Sequence, residues 1–360
     1  MLKKFDRKIV LEDGSEYLGY GFGDTCDRVT EIVFNTSMVG YQEIVSDPSY
    51  TYQTIVMTYP LIGNCGIADD DLSAKPAAIG GLVVREYNDF PSNFRYAKTL
   101  SETMKENHIP GIYGMDTRKL TRSIRDLGSR KVLITSVETS NEKAMEILKN
   151  TDIPKDAVSK VSCNKKWYSK TPNPKFSVVA IDCGIESGVV RSFNELGCNV
   201  TVVPWNTPAD EIEQIRPDGI FISNGPGNPE DVSSVVELVK NLKGKYPIMG
   251  ICLGQQIISL AYGAKVNKLK FGHRGANYPV KDVETGKVEI TTQNHSYTVD
   301  MTSIDGTQLE ITHKNVLDNT VAGIKCEKDR VLGVQFYPEN APGSIFDKFI
   351  KLMEGDKTNA

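Results

Sequence analysis

From about residue 176 to the carboxyl end, short apolar runs alternate with amphipathic segments, and this rhythm limits the available folds more than any other feature. "FSVVAID" reads as a buried strand and "SGVVRSFNELG" as a helix stopped by glycine. "NVTVVP", "PADEIEQIR", "DGIFISN", "PEDVSSVVELVKNLK", "YPIMGIC" and "GQQIISLAYG" continue the alternation. Short strands without a polar face, separated by helix-length segments, predict an α/β unit whose mostly parallel sheet is flanked by helices. In such sheets, sites gather beyond the carboxyl ends of the strands.

The first part has a different texture. "RKIVL", the turn pair Asp13-Gly14 and "EYLGYGFG" predict a β-hairpin, and "EIVFNT", "TIVMTY" and "GLVVREY" read as further strands. Helical patterns are fewer, over 93–106, 117–127 and 141–149, with Asp116 and Thr117 as capping candidates and Gly128 as a stop. Residues 1–150 are thus expected to form a β-rich α+β domain. Residues 151–175, with "NKKWYSKTPNPK", read as an exposed linker to a second domain over 176–360.

The formal net charge of −4 argues against nucleic acid as the main partner. The amino terminus lacks the apolar stretch of a signal peptide, and no run approaches the ~18 apolar residues of a spanning helix. No membrane association and a cytoplasmic location are therefore expected. The seven cysteines are scattered and include no C-x-x-C pair, which argues against a disulfide framework and against a metal site.

Three stretches carry candidate chemistry. Gly250-Ile251-Cys252-Leu253-Gly254 has the form of a nucleophile elbow with cysteine as the nucleophile, although a buried core cysteine suits the same pattern. In "SNGPGNP", Gly225 and Gly227 flank a proline in a loop suited to an oxyanion donor, or to a plain turn before the next helix. In "GVQFYPEN", Glu339 follows a strand, either as a carboxylate that orients a base or as a solvated loop residue.

Together and in this order, "SNGPGNP", "GICLGQQ" and "GVQFYPEN" resemble a class I (triad-type) glutamine amidotransferase domain. "VFNTSMVGYQEIVSDPSY", "TYPLIGN" and "GMDTRKLTRSIRDLG" resemble the amino-terminal domain of the small, glutaminase subunit of carbamoyl-phosphate synthase. "KFGHRGANYPVKD" and "TTQNHSYTVD" extend that resemblance over nearly the whole chain. It implies hydrolysis of L-glutamine through a cysteine thioester, with ammonia passed through a tunnel to a large synthetase subunit. That partner would hold ATP and Mg, so no cofactor is expected on this chain. By motif, the resemblance makes Cys252 the nucleophile and Glu339 the orienting carboxylate. It places Gly225, Gly227, Leu253, Gln256, Asn294, Ser296 and Tyr297 at glutamine, with Ser37 reaching in from the first domain.

One departure stands out. The resemblance puts the general base two residues before the glutamate, as histidine, and this chain has Tyr337 there. A phenol with a pKa of about 10 stays protonated at neutral pH and accepts a proton poorly. "DCGIESGVV" also lacks the family's usual basic residue and asparagine, and Gln255 and Tyr278 stand where histidine is common. Among four histidines, His295 is the nearest substitute base. His273 and His313 read as structural or surface residues, and His108 sits at a predicted helix end. Two readings follow: a working glutaminase subunit, or a glutaminase-impaired one that binds glutamine and docks on the large subunit.

Overall fold

The computed structural model describes residues 4–68, 72–74, 77–338 and 344–357. The chain divides into two compact units, one of residues 1–154 with 270–274, the other of 155–269 with 275–360.

Among the described residues, the first unit is built on nine strands: β1 (Arg7–Leu11), β2 (Glu16–Gly23), β3 (Arg28–Asn35), β4 (Gln53–Met57), β5 (Leu61–Ile62), β6 (Gly81–Val83), β7 (Glu86–Tyr87), β8 (Pro110–Tyr113) and β9 (Arg130–Ser136). Seven of them close a barrel in the order β1-β2-β8-β6-β4-β3-β9, while β5 and β7 pair separately. The predicted hairpin forms, with Gly14 at φ +83° in its turn. The barrel is accompanied by the helices α1 (Tyr41–Ser46), α2 (Leu100–Glu106), α3 (Thr117–Leu127) and α4 (Asn141–Asn150). The Asp116 side chain caps α3 by accepting from Lys119 N, and Gly128 ends it at φ +94°. α2 starts seven residues later than its periodicity suggests, because Thr99 and Glu102 form a capping box that fixes its first turn.

Residues 270–274 complete this unit. Phe271 stacks on Phe34 with ring centroids 5.7 Å apart, and the Lys270 carbonyl accepts from Ser129 N at 2.8 Å. Arg274 is 2 % exposed, donates to Gln53 Oε1 at 3.4 Å and accepts at its carbonyl from Thr36 N at 3.2 Å.

Among the described residues, the second unit holds ten strands: β10 (Trp167–Ser169), β11 (Phe176–Asp182), β12 (Cys198–Pro204), β13 (Gly219–Ile222), β14 (Ile248–Ile251), β15 (Val266–Asp282), β16 (Val288–Val299), β17 (Glu310–Asn315), β18 (Val321–Cys326) and β19 (Val331–Val334). They form one sheet in the order β10-β12-β11-β13-β14-β19-β18-β17-β15-β16. The five strands from β12 to β19 run parallel, as the alternating sequence predicts. Its helices are α5 (Ala157–Val161), α6 (Ser187–Glu195), α7 (Ala209–Ile215), α8 (Ser233–Leu242), α9 (Leu253–Ala261), α10 (Met301–Ile304) and α11 (Ile345–Lys357). Two apolar clusters, one led by Val179, Ile222 and Ile257 and one by Val178, Phe221 and Phe346, fill the unit. The segment 151–175, expected as a plain linker, carries α5 and the edge strand β10, which pairs antiparallel with β12.

Candidate active site

The carboxyl ends of β11, β13, β14 and β19 face one end of the sheet, where side chains from different strands can converge. β14 ends at Ile251 and α9 begins at Leu253, so Cys252 alone makes the turn between them. Its backbone takes φ +53° and ψ −107°, a conformation a residue with a side chain adopts only when its surroundings enforce it. Cys252 N donates to Val334 O at 2.8 Å, and Cys252 O accepts from Gln256 N at 3.2 Å to open the helix. The neighbouring glycines permit this. A Cβ on Gly254 would lie 2.1 Å from Ile222 O, and one on Gly225 would lie 2.0 Å from Cys183 O.

Cys252 is 2 % exposed. Its Sγ donates to Asn294 O at 3.4 Å and accepts from Gln335 Nε2 at 3.5 Å. Gln335 is held in turn, because Gln256 Nε2 donates to Gln335 Oε1 at 3.0 Å and to Tyr297 O at 2.8 Å. A relay of amides therefore ends on the sulfur, with an N–H that supports negative charge there. Burial, reinforced by the Asp182 carboxylate, pushes the Cys163 thiol up to about 12, and burial also pushes Cys183 up.

Of the residues expected at glutamine, Leu253, Gln256, Asn294 and Tyr297 join Cys252 through these contacts or through α9. Gly225 packs on the Leu253 side chain, and Gly227 sits in the same loop at φ +90°. Ser296 lies half-buried on β16, between His295 and Tyr297. Ser37 belongs to the barrel unit, where its N–H donates to Asn35 Oδ1 at 2.7 Å. Glu339 lies outside the described residues. Sequence reading missed Gln335, which follows β19 directly and stands two residues before Tyr337.

Tyr337 N donates to Thr292 O at 2.9 Å, while Cys252 Sγ meets Asn294 on the same strand. Tyr337 is two residues from Gln335, so their backbones are within about 7 Å. Its hydroxyl oxygen accepts from Asn224 Nδ2 at 3.4 Å, and the same nitrogen donates to Glu186 Oε1 at 3.2 Å. His295 Nδ1 meets Tyr297 O at 2.7 Å and its Nε2 meets Gln293 Oε1 at 3.0 Å, so both ring nitrogens are engaged. His313 is half-buried and lies in the wall of a cavity of about 800 Å³, with Thr292, Phe336, Tyr337, Pro338 and Lys348. His108 follows α2 on the surface and pairs with Asp24 at 2.9 Å.

Two family models match the chain. The family described as Glutamine amidotransferase class-I matches residues 179–352, and Carbamoyl-phosphate synthase small chain, CPSase domain, matches residues 9–134. A carbamoyl phosphate synthase small chain of Fusobacterium nucleatum subsp. nucleatum is 46% identical over 98% of this chain and 99% of its own. This chain belongs to the carbamoyl phosphate synthase small-chain family. A pyrimidine-specific small chain of Halalkalibacterium halodurans is also 46% identical, over 98% of this chain and 99% of its own. Among solved structures, a glutamine amidotransferase of Thermotoga maritima aligns over 45% of this chain and 75% of its own, at 19% identity and a TM-score of 0.36. Family membership rests on the full-length relatives. Among the described residues, no helix is long and apolar enough to cross a membrane.

Proposed function

We propose that the chain is the glutamine-binding small subunit of a cytoplasmic carbamoyl-phosphate synthase and hydrolyses glutamine slowly through Cys252. The observation that carries this reading is the strained Cys252 turn, whose sulfur receives the Gln335 amide N–H. In the proposed reaction the sulfur, as thiolate, attacks the side-chain carbonyl carbon of glutamine. The oxyanion that forms is met by the Leu253 N–H, the first of its helix, and by the Gly225–Gly227 loop. The C–N bond breaks as the nitrogen takes a proton and leaves as ammonia, and a γ-glutamyl thioester remains. Water then cleaves the C–S bond to give glutamate and the thiol. Asn294, Ser296 and Tyr297 are assigned to the α-amino and α-carboxylate groups, Ser37 is likewise assigned to glutamine, and Glu339 is assigned as the orienting carboxylate. The cavity beyond Tyr337 is the route we assign to ammonia on its way to the large subunit, where ATP and Mg would serve carbamoyl phosphate synthesis for arginine or pyrimidines.

Slow turnover follows from Tyr337. Both the acylation and the water step need a proton acceptor, and a missing general base costs about 10²–10⁴-fold. A second reading, a glutaminase-impaired subunit that binds glutamine and docks on its partner, is favoured by the engagement of both His295 nitrogens. Intact-mass analysis after incubation with glutamine, with and without a large subunit, separates the two. Slow glutamate release with a γ-glutamyl adduct that disappears in Cys252→Ala is expected. Glutamine binding without adduct or release supports the impaired subunit, and release persisting in Cys252→Ala would refute both.

A further inference from the structure

We propose that Gln335 is a catalytic residue: its amide N–H, aimed by Gln256, stabilises the Cys252 thiolate and so readies the nucleophile without an imidazole. This rests on the Cys252 reading above and deepens it. Gln335 and Gln256 are both buried, so water does not compete for either amide. Gln335 follows β19, Gln256 lies one turn into α9, and Cys252 joins β14 to that helix.

One main-chain group sets the direction of the relay. A peptide carbonyl only accepts, so Tyr297 O fixes the NH₂ end of Gln256 toward itself, at 2.8 Å. The second proton of that nitrogen goes to Gln335 Oε1 at 3.0 Å. With its oxygen claimed there, Gln335 turns its own NH₂ end to Cys252 Sγ, 3.5 Å away. Turning Gln335 over would set two NH₂ groups against each other and leave the sulfur facing an oxygen. Gln335 N also donates to Ala322 O at 3.0 Å, which pins the backbone that carries the amide.

These contacts place the sulfur between two uncharged groups of opposite effect. Asn294 O, at 3.4 Å, accepts from the thiol and favours the protonated form, while the Gln335 N–H favours the anion. The N-terminus of α9 adds to the second effect. On ionisation the S–H bond breaks, the electron pair stays on sulfur and the proton passes to water. An amide neither takes nor returns a proton near neutral pH. Gln335 therefore supports attack on glutamine but cannot activate the water that follows, which favours accumulation of the γ-glutamyl thioester.

Alkylation of Cys252 by iodoacetamide, read by peptide mass on the full chain from about pH 5 to about pH 10, tests this, because only the thiolate reacts. The variants are Gln335→Met, of similar volume without a donor, Gln256→Met and their combination. Gln335→Leu serves as a second replacement, with circular dichroism as the check on folding. Other titratable side chains on the elements around the turn are His295 and Tyr297 of β16, Tyr337 after β19, and Asp182 and Glu186 at the end of β11. All of them are common to every protein in the set. Gln335→Met is expected to move the midpoint of the profile upward and to slow the reaction at neutral pH about 10–10²-fold, the loss of one charge-assisted hydrogen bond. The plateau at high pH should stay where it was, whereas a merely structural residue would change access and move the plateau instead. Gln256→Met should shift the midpoint the same way by less, and add nothing to Gln335→Met. An unmoved midpoint in folded Gln335→Met and Gln335→Leu, or additive shifts in the combined variant, would overturn the proposal. Glutamate release is measured in parallel. If the midpoint moves but no protein releases glutamate or forms the adduct, the role of Gln335 at the sulfur stands and the hydrolytic reading falls.

Discussion

His313 stacks edge-on against Phe336 and lies 3.6 Å from Asp282. Burial holds its pKa below the ordinary 6.5, with the Asp282 carboxylate opposing and Lys348 adding to the effect. The folded state therefore binds this proton less tightly than the unfolded chain does. Its neutral form costs nothing above the unfolded value, and stability falls as pH drops through 6.5 toward the lowered one. Urea midpoints measured from about pH 8 down to about pH 5 should decline more steeply in the wild type than in His313→Gln. Cys252 gives a second expectation. Its positive φ costs glycine little, so Cys252→Gly should exceed Cys252→Ala in unfolding free energy by about 1 kcal/mol, although neither can form a thioester. At this scale Cys252 and Gly225 were legible because a tight turn and a close approach demand particular residue types. The engagement of His295 and the relay through Gln335 were not, because hydrogen-bond partners are set by strands distant in sequence.

On α9, Gln255 is fully buried against Gly333 of β19, and among the described residues neither its amide nitrogen nor its amide oxygen has a hydrogen-bond partner. Replacing it by methionine removes an unsatisfied polar group at similar volume. Gln255→Met should raise unfolding free energy by about 1–2 kcal/mol in chemical denaturation. Gly254→Ala on the same helix should lower it by about 2–3 kcal/mol or more, since the added carbon meets the Ile222 carbonyl and backbone must shift. Elements with strong punctuation were read well, as α3 shows between Asp116 and Gly128. β10 was missed because Trp167 and Tyr168 sit at an exposed edge, where three residues give no alternation to detect. Much of the long pair β15 and β16 is exposed, and part of β15 belongs to the barrel unit, so neither shows a simple apolar rhythm.

The parallel sheet of the second unit was predictable as a whole, because buried strands alternating with amphipathic helices admit few arrangements. Closure of the first unit into a barrel was not, since β1 meets β9 across most of that unit's length and local patterns carry no record of such pairing. Nor was the membership of 270–274. A fragment of residues 1–154 lacks the Phe271 stacking and the buried Arg274, and should lose about 2–5 kcal/mol relative to the intact unit. Its thermal transition, followed by circular dichroism, should be lower and broader than that of a version with 270–274 rejoined through a short linker.

The same five residues set a timetable for synthesis. A ribosome delivers residues 155–269 before the segment that finishes the barrel unit, so the earlier half of the nascent chain must wait, incompletely packed, while much of the later half emerges. Slowing translation just ahead of residue 270 should prolong that vulnerable interval and leave the newborn chain more dependent on chaperones.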